Sequence, residues 1–170
     1  MGPLSGIKVI SDLYFVIGHA GCGEQRETIE QMYDSICFAK CLITNGLANY
    51  CAFSLFIPAH GSTAFKNLSR ENRIIDSDAM TFGVYSIQGE GLYSPNSLQA
   101  LRLAGWKFAN RADDTEKHAS YNLDPNIDTN PYQHVDKHYV DHHMKALGSY
   151  YKSFCAQHEE KLLQLQVAKT

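Results

Sequence analysis

The segment Gly18-His19-Ala20-Gly21-Cys22-Gly23-Glu24 joins an apolar run, Leu13 to Ile17, to a helical pattern that begins near Gln25. A strand, a glycine-rich loop and a helix in that order aim backbone N–H groups and the positive end of a helix dipole at one point. Gly21, Cys22, Gly23 and Glu24 therefore form a candidate cradle for a phosphate or carboxylate. A thiol in that position gains thiolate character, so Cys22, or His19 beside it, would perform or assist the chemistry. The spacing is neither the Walker pattern nor Gly-x-Gly-x-x-Gly. Glycine's access to positive φ gives Gly21 and Gly23 a purely conformational role as turn formers as well.

Two further constellations carry reactive side chains. His60-Gly61-Ser62 and His118-Ala119-Ser120 are paired His-x-Ser elements, which resemble the motifs of two-histidine phosphoesterases. That resemblance implies that His60 moves a proton to or from a phosphate while Ser62 holds it; the second element, however, lies in a polar stretch without strand character. His134, His138 and His142 fall four residues apart, with Asp141 and His143 beside them. Histidines at that spacing on a helix can share one metal ion, so these three are the candidate ligands. A solvated or interfacial polar face is the alternative. Asp141-His142-His143 also resembles the phosphoesterase motif of that form, without that family's upstream aspartate motifs. Gly21 to Gln25 resembles the thioester motif of the complement and α-macroglobulin family. That likeness implies an all-helical domain, which the apolar strand run after Tyr50 contradicts. Asp76 and Asp78, with Glu71, read as surface carboxylates.

The cysteine count is odd, five in 170 residues. Cys41 and Cys51 have nine residues between them, which resembles half of the twin pattern of small disulfide proteins of the mitochondrial intermembrane space. The second pair is missing and Asn45-Gly46 would break the helix. Reduced intracellular thiols, packed as small apolar side chains, are the expectation, with Cys37 and Cys41 one turn apart against the sheet. Cytosol and mitochondrion are not distinguished. Hydrophobic residues at 44% and charged residues at 19% describe a folded globular chain. A formal net charge of −3 offers no basic field for nucleic acid. No apolar run has the ~18 residues of a membrane span, and the N-terminus lacks the form of a secretory signal.

The elements that must position these residues follow from periodicity. Ile7 to Ile17 reads as a strand. Arg26 to Ile43 carries Ile29, Met32, Tyr33, Ile36 and Ile43 at helical spacing, and Asn45-Gly46 ends it. Tyr50 to Ile57 is a continuous apolar run, as expected for a strand covered on both faces. Together they make a βαβ unit. Ser69 to Asp78 offers a short helix and Met80 to Ile87 a strand. Ser94-Pro95 starts a helix whose apolar face, Leu98, Leu101, Leu103 and Trp106, runs to Phe108. Asn130-Pro131 opens a long final helix with Val140, Met144, Leu147, Tyr151, Phe154, His158, Leu162 and Leu165 in its stripe.

The sequence thus predicts one α/β domain over residues 1–110 opening with a βαβ unit, an irregular connector over 111–131, and a long C-terminal amphipathic helix over 132–170. Two functions fit. One is a non-catalytic accessory subunit of a larger assembly, meeting other protein chains through the connector and final helix. It rests on the absence of a complete catalytic constellation, the polar connector and the surplus length of the helix. The other is a small α/β enzyme, a hydrolase or transferase, binding a nucleotide or other anionic metabolite at Gly18–Glu24. No cofactor is specified by the sequence.

Overall fold

A computed structural model describes residues 11–20, 26–81, 85–110, 135–161 and 164. The chain is mixed α/β and opens with the expected βαβ unit. Strand β1 (Asp12–Ile17) runs parallel to β2 (Tyr50–Leu55), pairing Asp12 with Tyr50 through Ile17 with Leu55. Helix α1 (Ile29–Thr44) makes the crossover between them. Period-two alternation sets the faces of β1: Leu13, Phe15 and Ile17 turn toward the core, whereas Tyr14 and Val16 are 74% and 64% exposed. β2 buries Cys51, Ala52, Phe53 and Leu55 but exposes Ser54, so its second face is less covered than its apolar run implies.

Short helices α2 (Thr63–Arg70) and α3 (Ser77–Thr81) follow. The expected strand from Met80 is replaced by α3 at its start, because the Asp76 carboxylate accepts from the Asp78 and Ala79 amides at 2.9 and 3.2 Å and so caps that turn. Among the described residues the strand character of this stretch is one antiparallel bridge, Ile74 to Ile87; residues 82–84 lie outside them. A 3-10 turn (Gly91–Tyr93) leads into α4 (Pro95–Ala109), capped by the Ser94 hydroxyl accepting from Ser97 N at 3.3 Å with Pro95 in its first turn. The long helix α5 (Lys137–Gln157) starts under an Asp136 cap at 2.8 Å to His138 N.

α4 is the hub. It packs against α1, β2 and α5, placing Leu98, Leu101 and Ala104 beyond solvent, and each such leucine contributes ~2 kcal/mol of burial. Gly105 allows the α1 contact: a Cβ there would lie 2.8 Å from Ile36 Cδ1. At the C-terminus of α4 the Asn110 amide acts as a surrogate strand, accepting from Cys51 N at 2.9 Å and donating to Cys51 O at 2.7 Å. The stripe of α5, with Val140, Leu147 and Phe154 buried, lies against α4 and α1. That part of the final helix is therefore spent inside the fold rather than left over for a partner.

Candidate functional site

β1 ends at Ile17, and Gly18 turns the chain at φ +77, where a side chain would also crowd Leu55. Gly21, Cys22, Gly23 and Glu24, the predicted cradle, lie outside the described residues, as do His118, Ser120 and His134. The residues on either side of the cradle form a closed neck. His19 N donates to Glu27 Oε2 at 2.9 Å, and Glu27 N donates to His19 O at 2.9 Å. The exposed His19 ring rests on Phe56, centroids 4.3 Å apart.

The helix that should aim its dipole at the loop starts later than its periodicity implies, at Ile29, and its Ile29 and Gln31 amides already have partners. Gln31 N donates to Thr28 Oγ1 at 3.2 Å and Thr28 N to Gln31 Oε1 at 2.8 Å, a reciprocal capping box. Ile29 N donates to Tyr93 Oη at 3.2 Å. Attraction for an anion at this end of the fold falls instead to side chains.

Those side chains are two guanidiniums. Arg26 lies 3.8 Å over the Tyr93 ring, with Nη2 donating to Tyr93 O at 3.4 Å. Arg73 donates from Nη2 to Ala20 O at 3.0 Å and pairs through Nη1 with Glu71 at 3.2 Å. Burial lowers the Arg26 pKa from its ordinary value, Tyr85 opposes that, and the like charge of Arg73 adds to it. Among the described residues Arg26 has no carboxylate partner. It lines an open cleft of about 620 Å³ at the carboxyl end of β1, together with Val16, His19, Glu27, Thr28, Gln31 and Ser35.

The other predicted residues have local duties. The Ser62 hydroxyl accepts from Phe65 N at 3.1 Å and so caps α2, while His60 is exposed with its ring 4.2 Å from that of Phe65. His60-Gly61-Ser62 is a turn and helix cap, with Gly61 at φ +81. His138 and His142 are exposed on α5. Helical spacing begins only at Lys137, and among the described residues no group of three or more His, Cys, Asp or Glu is placed to hold a metal ion.

Sequence reasoning missed the inward role of His143. It is fully buried, with Nδ1 3.0 Å from Tyr33 Oη and Nε2 3.0 Å from Ser97 Oγ, which ties α1, α4 and α5 together. Burial, with the neighbouring His142 charge second, pushes its pKa down to about 4, and burial pushes the Tyr33 phenol up to about 12. The signal was its place three residues after Val140 and four before Leu147, inside the apolar stripe. Cys37, Cys41 and Cys51 are buried free thiols as expected, Cys37 pushed up to about 12 and Cys51 to about 11 by burial. No helix among the described residues is long and apolar enough to cross a membrane. The chain matches no family model, no curated protein and no solved structure.

Proposed function

We propose that this chain binds a small anionic ligand, a phosphate-bearing metabolite of nucleotide size, in the cleft at the carboxyl end of β1. The observation that carries the reading is Arg26: a guanidinium lining a cleft, close to a second guanidinium, without a carboxylate partner among the described residues. A guanidinium without a carboxylate partner among the described residues, at a partly buried site, favours an anionic visitor, and an arginine fork matches phosphate geometry. Open parallel sheets take ligands outside the carboxyl ends of their strands, which is where this cleft lies. His19 at its mouth is the group able to move a proton there.

Isothermal titration of the full chain with adenosine monophosphate tests the reading. Saturable binding that weakens at least tenfold in Arg26→Ala, and recovers in part in Arg26→Lys, supports it. Heat of dilution alone, or equal affinity in Arg26→Ala, overturns it.

A second reading, the accessory protein, is favoured by a different observation. Parallel pairs are ordinarily covered on both faces, yet β1 presents Tyr14 and Val16 to solvent. A partner chain covering that face would protect Tyr14 and Val16. The connector predicted to share the contact lies outside the described residues. Sedimentation of the full chain with its co-purifying proteins, compared for wild type and Val16→Glu, tests it; a complex unchanged by the substitution contradicts it.

A further inference from the structure

We infer that Cys41 and Cys155 form a reversible disulfide that fastens α5 to α1. The two thiols sit at the α1–α5 contact, around a single phenol. Cys41 Sγ lies 3.5 Å from Tyr151 Oη. Cys155 is one helical turn beyond Tyr151 on the same face of α5 and packs half-buried against the core, close enough to add to the rise that burial gives the Cys41 and Tyr151 groups. Cys37, one turn before Cys41 on α1, feels both thiols electrostatically but lies fully buried. Lys40 completes the group, its ammonium 5.6 Å from the Tyr151 ring centroid and favouring the charged form of Cys41.

Access decides the order of events. Cys41 is 1% exposed, whereas Cys155 is half-buried and open to small solutes. A peroxide, the oxidant class invoked, reaches Cys155 first. The Cys155 thiol attacks one peroxide oxygen, the O–O bond breaks, and Cys155 sulfenic acid and water form. Cys41 then attacks the sulfenic sulfur, the S–O bond breaks, and the hydroxide leaves with the Cys41 proton as a second water. One disulfide and two waters result from two thiols and one peroxide, a balanced two-electron oxidation. Burial raises the Cys41 thiol, while its hydrogen bond to Tyr151 lowers it. The attacking group is mostly thiol, so closure is slow rather than instantaneous. A Cys37–Cys41 bond is disfavoured, because residues one turn apart on the same helix point their Cβ atoms in parallel rather than toward each other.

The bond would close a loop of more than 100 residues between two helices otherwise held by packing, so it constrains the unfolded chain strongly. The experiment treats the full-length chain with stoichiometric hydrogen peroxide, quenches it, and maps cysteine-containing peptides by mass spectrometry without reduction, beside thermal melts. The expected result is a monomeric product, lighter by two hydrogens, whose Cys41 and Cys155 peptides are joined. Its Tm should rise by about 10 °C and return to the starting value with dithiothreitol. Cys37→Ser should still form the bond and Cys155→Ser should not. Mapping on the wild-type chain keeps the test independent of whether either variant folds. Cys155 passing on to sulfinic acid with Cys41 still reduced, or a linkage mapped to any other pair, overturns the inference.

Discussion

His143 makes stability fall on mild acidification, and the effect can be calculated. Its imidazole is fully buried with both ring nitrogens occupied, by Tyr33 Oη and Ser97 Oγ. It therefore takes up a proton at about 4 in the folded chain, against 6.5 when exposed. Between those values the unfolded state binds a proton that the folded state refuses, so stability is full above pH ~6.5 and drains away as pH falls toward ~4. About 2.5 pH units at ~1.4 kcal/mol each gives ~3 kcal/mol, a large part of the ~5–15 kcal/mol of a typical domain. The facing groups are Tyr33 from α1, Ser97 from α4 and His142 from its own helix. The assay is urea unfolding of wild type and His143→Gln across this pH range, since glutamine can occupy the site without titrating. At neutral pH the variant should be less stable by ~1–3 kcal/mol. The difference between the two proteins should then move in the variant's favour by ~3 kcal/mol on going to pH ~4. A difference that stays constant with pH refutes the reasoning.

Three other substitutions probe the frame that holds the cleft. Gly105→Ala gains helix propensity but drives a methyl to within 2.8 Å of Ile36 Cδ1; overpacking should win, with a net loss of ~1–2 kcal/mol in chemical denaturation. Ser94→Ala removes the α4 cap to Ser97 N and should cost ~1 kcal/mol by the same measurement. Asn110→Ala strips both bonds that close the edge of β2 at Cys51. Its buried amide and carbonyl then lack partners, so a loss of ~2 kcal/mol and faster hydrogen exchange at Cys51 are expected.

What could be read in the sequence was whatever local chemistry decides. Ser94-Pro95 marks the start of α4 because a hydroxyl cap and a first-turn proline act within one turn. The run from Tyr50 locates β2, and the β-branched and aromatic residues of Ile7 to Ile17 locate β1, which is described from Asp12. Met80 to Ile87 misled because its β-branched and aromatic residues compete with a carboxylate cap at Asp76 that acts from outside the segment. His143 was grouped with a polar face because its partners, Tyr33 and Ser97, are distant in sequence and meet it only when three helices pack. The same holds for the cleft: Arg26 gains its place from Tyr93, far along the chain, and Arg73 reaches the loop through Ala20 O. The cradle read from the glycine loop, Gly21 to Glu24, lies outside the described residues. The helix dipole it invoked is instead consumed by Thr28, Gln31 and Tyr93.

The central claim is that an anionic ligand sits beside Arg26 at the carboxyl end of β1. Heteronuclear NMR of the full chain, titrated with adenosine monophosphate against adenosine as the uncharged control, tests it most directly. Saturable shifts at the amides of His19, Arg26, Glu27 and Thr28, present with the phosphate and absent with adenosine, are the predicted result. Resonances of those residues that stay fixed at millimolar nucleotide, or move equally with adenosine, would contradict it.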